Sequence, residues 1–155
     1  MPAKPIPDGY QTLNPQLAVD DAAQAIDFYK QAFGAKERER VNGPDGKVAH
    51  AELEIGDSVL MLADPMPQSP FTPPKELGGI TGGLYVYVED VDELVQQVVD
   101  AGGTITTPVD DMFWGDRLGT ISDPFGHTWH IATRVKNVPA EQLAELAKEA
   151  MASMS

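Results

Sequence analysis

V-D-D-A-A-Q-A-I-D-F-Y-K-Q-A-F-G-A, residues 19–35, decides the fold, because its opening occurs twice. Asp20 and Asp21 open a helix in which Ala22, Ala25, Ile26, Tyr29, Ala32 and Phe33 recur at helical spacing, and Gly34 stops it. Val88-Glu89-Asp90 repeats Val19-Asp20-Asp21 at an offset of 69 residues, and Gly103 repeats Gly34 at the same offset. The second opening leads into a helix with Val91, Leu94, Val95 and Val98 on its apolar side. A strand pattern precedes each helix. Leu13, Leu17 and Val19 alternate with Asn14, Gln16 and Ala18, and Leu84, Val86 and Val88 alternate with Gly83, Tyr85 and Tyr87. Three strands follow each helix. The first set is Lys36–Val41, then Val48–Ile55 after the turn N-G-P-D-G (42–46), then Ser58–Ala63 after the tight link Gly56-Asp57. The second set is Thr104–Val109, a strand near Phe113–Ser122, and His127–Thr133.

Each half therefore reads strand–helix–strand–strand–strand. One helix covers one face of a sheet, so the other face must be buried by something else or line a cavity. Pairing two such units, within a chain or across a dimer, solves the problem. The predicted class is α+β, built from two βαβββ modules. The chain divides into an arm (1–9, with three prolines and a glycine), a first module (10–63), a Pro-rich loop (64–79, with five prolines), a second module (80–134) and a C-terminal helix (135–155). That helix carries Leu143, Leu146, Ala147, Ala150, Met151 and Met154 on one stripe.

Composition narrows the function. The chain has 155 residues and no cysteine, so disulfides, thiolate metal sites and cysteine nucleophiles are excluded. Its 24 acidic against 11 basic residues give a formal charge of −13, which argues against nucleic acid or an anionic membrane as partner. There is no apolar run of the ~18 residues a membrane helix needs, and MPAKPIPDGY is not a secretion signal. A soluble cytoplasmic protein is expected. G-x-S-x-G, P-loop and G-x-G-x-x-G patterns are all absent.

Segments 19–35, V-E-D-V-D-E-L (88–94) and S-D-P-F-G-H-T-W-H-I (122–131) resemble the vicinal oxygen chelate superfamily of glyoxalase I, bleomycin-resistance proteins and extradiol dioxygenases. F-W-G-D-R-L-G-T-I-S-D-P-F-G-H (113–127) is most similar to its PhnB-like bacterial subgroup. The resemblance covers roughly residues 10–134. It implies sheets curled into a cup, with helices outside and a ligand or metal inside. Strand alternation then puts Leu17, Val19, Ala51, Leu53, Leu84, Val86, Trp129 and Ile131 under helices. Asn14, Gln16, His50, Glu52, Glu54, Met61, Tyr85, Tyr87, Thr128 and His130 are expected to face the cup.

Metal ligands in this superfamily come from the first and last strand of each module, which here are Asn14, Met61, Gly83 and His130. Only His130 is a good ligand, so this sequence departs from the family's metal pattern: no cofactor is expected, and a divalent metal is disfavoured though left open. His127-x-x-His130 is no zinc pair, because residues i and i+3 of a strand face opposite ways. His127 follows the D-P-F-G turn and is expected to make a structural hydrogen bond.

The Gly56-Asp57 link is read as two residues shorter than the D-P-F-G turn, which lowers the offset before it to 67. Arg117 then becomes the counterpart of His50, and both point inward. Arg117 pairs with a carboxylate such as Glu52, Glu54 or Asp116, or it captures an anionic group. Trp114 packs, or forms a stacking wall if Gly115 bulges the strand. The expected ligand-binding set is Asn14, Gln16, His50, Glu52, Tyr85, Trp114, Arg117 and His130. Two functions stay open. One is a homodimer that binds a small, anionic molecule in a polar and aromatic cup. The other is a glyoxalase-type lyase or isomerase with His50 or Glu54 as general base and Arg117 on the enolate oxygen. A dioxygenase is not expected, since the matched positions lack its iron ligands.

Overall fold

The computed structural model describes residues 2–154. The repeated acidic openings are repeated helix caps. Asp21 accepts a hydrogen bond from the Gln24 amide to start α1 (Ala22–Phe33), and Asp90 accepts one from the Glu93 amide to start α3 (Val91–Ala101). Gly34, with φ of +67°, closes α1 in the left-handed conformation that glycine adopts without strain.

Around these helices the chain forms two four-stranded sheets of the same topology. The first contains β1 (Gln16–Ala18), β2 (Lys36–Asn42), β3 (Val48–Ile55) and β4 (Ser58–Ala63), in the order β1-β4-β3-β2. The second contains β5 (Leu84–Tyr87), β6 (Thr104–Asp111), β7 (Asp116–Ser122) and β8 (Thr128–Arg134), in the order β5-β8-β7-β6. In each, the opening strand runs parallel to the last strand and the other pairs are antiparallel.

Several element boundaries shift by one or a few residues from expectation, and two differences have a clear local cause. The first strand starts at Gln16, not Leu13; Pro15 has no amide hydrogen to donate, and Leu13 is 86% exposed. The Pro-rich loop contains one turn of helix, α2 (Pro74–Leu77), started at proline and stopped at Gly78 with φ of +79°. The C-terminal helix α4 (Ala140–Ala152) keeps Leu143, Leu146, Ala147 and Ala150 half-buried, while Met151 and Met154 are exposed.

Helix-facing residues of both modules belong to one core. Phe33 of α1 stacks on Trp129 of β8 with ring centroids 4.3 Å apart, and Phe28 meets Phe125 edge-on. The Tyr29 hydroxyl and the Trp129 indole both donate to Asp123 Oδ2, at 2.6 and 2.9 Å. Asp123 Oδ1 accepts the amides of Phe125 and His127, so this buried carboxylate is fully satisfied. His127 Nε2 lies 2.8 Å from the Ala18 carbonyl, the structural bond its place after the turn suggested. The modules thus join along their helix side. Among the described residues no hydrogen bond, ion pair or ring contact links the two faces that look away from the helices.

Candidate functional site

Each of those open faces carries its own polar cluster. On the second sheet the cluster is built around Asp116, at the start of β7 and with no exposed side-chain surface. Tyr85 and Tyr87 alternate on β5 and donate to Asp116 Oδ2 at 2.6 and 2.9 Å. The Trp114 indole donates to the same oxygen at 3.1 Å, and Arg134 Nε donates to Oδ1 at 2.6 Å. Burial pushes the Asp116 carboxyl up, but the bonds from Tyr85, Arg134, Tyr87 and Trp114 outweigh it and hold the pKa below the ordinary value. Tyr85 moves the other way. Burial, then its bond to Asp116, push its phenol up to about 12. Both tyrosine rings stay open, Tyr85 44% and Tyr87 57% exposed. His130 lies beside Tyr85, ring centroids 5.6 Å apart, and its Nδ1 is 2.8 Å from the Thr120 hydroxyl.

On the first sheet, His50 and Glu52 project from alternate positions of β3, and His50 Nε2 lies 2.8 Å from Glu52 Oε2. Tyr10 reaches over from the N-terminal segment and donates its hydroxyl to Glu52 Oε1. Arg38 sits over the Tyr10 ring, 4.9 Å from its centroid, at a bulge that leaves it unpaired between Glu37 and Glu39. Burial raises the Glu52 carboxyl, and the bonds from His50 and Tyr10 more than reverse that, leaving its pKa lowered.

The expected residues divide accordingly. Tyr85, Trp114 and His130 converge on the second open face, and His50 and Glu52 on the first. Gln16 is exposed beside Met61, while Asn14 folds back on Gln11, accepting from its amide and donating to its carbonyl. Glu54 is half-buried, close to the Gly56-Asp57 hairpin.

Arg117 is a correction. It was expected inward, opposite His50, but lies on the helix side of β7, bonded through Nε and Nη2 to Asp92 of α3 and through Nη1 to Asp111. The reason is one residue of register. β7 and β8 are joined by three residues, Pro124–Gly126, inside the Asp123 N to His127 O bond, with Gly126 left-handed at φ of +92°. That is one residue more than Gly56-Asp57, not two. Glu52 pairs with Met61 and Thr120 with His130, so Thr120 is the counterpart of Glu52 and Leu118 that of His50. A one-residue slip exchanges the faces of a strand. The basic residue on the open face of the second sheet is Arg134, which sequence reasoning missed together with Tyr10, Arg38 and Glu39; Asp116, named there as a partner for Arg117, pairs with Arg134 instead.

The residues present do not fit the metal of the resembled fold. Asn14 is engaged with Gln11, Met61 offers a thioether, and a side chain at Gly83 would meet the Thr128 carbonyl oxygen 3.0 Å from its Cβ. His130 alone remains, with Nδ1 committed to Thr120.

Residues 11–131 match the family model described as Glyoxalase/Bleomycin resistance protein/Dioxygenase superfamily. An uncharacterised protein of Mycobacterium bovis is 45% identical over 134 residues, 84% of this chain and 88% of its own. A lactoylglutathione lyase of Neisseria meningitidis is 26% identical over 116 residues, 74% of this chain and 84% of the enzyme. Among solved structures, TioX from Micromonospora sp. ML1 superposes with a TM-score of 0.63 at 28% identity, covering 81% of this chain and 99% of TioX. A βαβββ unit used twice, equal strand orders and the matched span agree, and the chain belongs to the glyoxalase/bleomycin resistance protein/dioxygenase superfamily.

Proposed function

We propose that this chain is a cytoplasmic small-molecule-binding member of the superfamily, of the PhnB-like kind suggested by residues 113–127, acting as a homodimer. The observation that carries the reading is the open face of the second sheet. The Tyr85 and Tyr87 rings lie exposed beside a guanidinium, Arg134, whose Nη1 makes no hydrogen bond among the described residues. A small planar ligand with an anionic end fits that surface: its ring lies on the tyrosines, its charge meets Arg134, and Trp114 forms the wall. Glu52 and His50 of a second copy would supply the polar side of the pocket, because within one chain the two faces do not meet. No metal at the family positions enters this reading.

The test is a native mass spectrometry screen of small aromatic carboxylates and phosphonates, with light scattering on the same sample. A mass twice 16.7 kDa and a bound aromatic anion that weakens at least tenfold in Tyr87→Ala are expected. A monomer, or binding indifferent to Tyr87 and Arg134, would overturn it.

The His50–Glu52 pair favours one second reading, a glyoxalase-type isomerase. Glu52 orients an imidazole whose other nitrogen can take a proton, an arrangement suited to a general base. Glu54 has no such partner among the described residues and is the weaker candidate. Isomerisation of a hemithioacetal that is lost in His50→Gln would support this reading; no turnover by the wild type would dismiss it.

A further inference from the structure

Glu39, His50 and Glu52 offer one donor atom each within 4.8 Å of one another on the open face of the first sheet. Glu39 and Glu52 stand directly opposite across β2 and β3, where like charges repel. The Glu52 side chain is only 7% exposed. A second carboxylate beside a buried anion, in a chain of charge −13, calls for a positive charge. Arg38 gives partial relief, but its guanidinium lies over the Tyr10 ring and donates to the Asp8 carbonyl. Glu39 makes no hydrogen bond or ion pair among the described residues. The fold does not require the grouping: the counterparts in the second sheet are Thr107, Leu118 and Thr120.

We propose that Glu39, His50 and Glu52 bind one divalent transition-metal ion, Zn²⁺ or Mn²⁺, at a place distinct from the family positions 14, 61, 83 and 130. The donor set of one imidazole nitrogen and two carboxylate oxygens suits such ions. The spacing suits them too. Two ligands at right angles, each ~2.1 Å from an ion, stand about 3 Å apart, and His50 Nε2 and Glu52 Oε2 are 2.8 Å apart. Tyr10 supplies what a metal-binding carboxylate commonly has, an outer hydrogen bond on its other oxygen, which leaves Oε2 turned to His50. His50 and Glu52 come from alternate positions of one strand, so the backbone sets their spacing. Three protein ligands leave further positions to water.

The experiment is calorimetric titration of chelator-treated protein with Zn²⁺ and Mn²⁺, with Mn²⁺ paramagnetic resonance as a second readout. One ion per chain is expected. Glu39→Gln, at an exposed position, should weaken binding at least tenfold. Tyr10→Phe should weaken it about 10–100-fold, His50→Gln should abolish it, and His130→Gln should leave it unchanged. Circular dichroism checks each fold, and Glu39→Gln with His50→Gln suffices if a Glu52 variant does not fold. The proposal is overturned by no saturable binding to the wild type, by full binding in both Glu39→Gln and His50→Gln, or by loss in His130→Gln. No organic ligand is present in the titration, so its outcome is separate from that of the ligand screen.

Discussion

Arg134 and Asp116 face each other across β7 and β8, Nε to Oδ1 at 2.6 Å, with the carboxylate wholly buried and the arginine side chain 46% exposed. One member of the pair is structural and the other looks outward. The carboxylate is held by four donors, while the guanidinium spends Nε on it and Nη2 on the Tyr87 hydroxyl, which leaves Nη1 without a hydrogen bond among the described residues.

Asp116→Asn should destabilise the protein by about 2–3 kcal/mol, because hydrogen bonds to a buried charge are worth more than neutral ones. The loss depends on pH in one direction. The folded-state pKa of Asp116 lies below the ordinary value, so its contribution is complete above about pH 4 and disappears as the pH falls through the lowered pKa. Urea melts of wild type and variant should converge below about pH 4. A gap that stays constant down to pH 2 would refute this account.

Tyr85 sets the alkaline counterpart. Its folded pKa is about 12 against an ordinary value of ~10. Its contribution is therefore intact below about pH 10 and is lost as the pH rises through the folded value. The ultraviolet difference titration between wild type and Tyr85→Phe should show tyrosinate forming with a midpoint near that folded value. A midpoint at the ordinary phenol value would show that the bond to Asp116 does not hold in solution.

Arg117→Ala should leave ligand binding untouched, in contrast to what strand alternation alone suggested. Its partners Asp92 and Asp111 are 57% and 68% exposed and rehydrate when it is removed. The melting temperature should move by at most about 3 °C. A much larger fall, or loss of ligand, would return Arg117 to the site.

Gly115→Ala should be the most damaging single-methyl change near the open face of the second sheet. Gly115 has a φ of +105°, and a Cβ there would lie 2.0 Å from the Lys136 carbonyl oxygen. The Gly115 carbonyl also accepts the amides of Val135 and Lys136, so the backbone cannot move aside cheaply. A loss of ~3 kcal/mol or more is expected, together with loss of the Trp114 contacts, read by chemical melts and indole fluorescence.

The architecture was legible because its signals are local. Asp21 and Asp90 as caps, Gly34 as a stop, and the alternation from Val48 to Ile55 each need only neighbouring residues to be read. The site was half legible. His50, Glu52, Tyr85 and His130 fall on the open faces because their strands were counted in the correct phase. Arg117 did not, because β7 takes its phase from the length of the turn beyond it, and Gly126 in the left-handed region adds a residue that sequence spacing does not display. Tyr10 was illegible for another reason: its bond to Glu52 spans 42 residues, and no periodicity announces it.

The buried junction at Asp123 bears on the ancestry of a chain built from a duplicated unit. Tyr29 comes from the first half, while Trp129 and the carboxylate that both satisfy come from the second. The aromatics that stack across the joint are divided between the halves in the same way. Either half expressed alone would expose half of a seam, the first with the Tyr29 hydroxyl deprived of its acceptor and the second with Asp123 short of one of its four donors. The two halves should melt as one cooperative body, and a split gene should regain structure only when both fragments are present together.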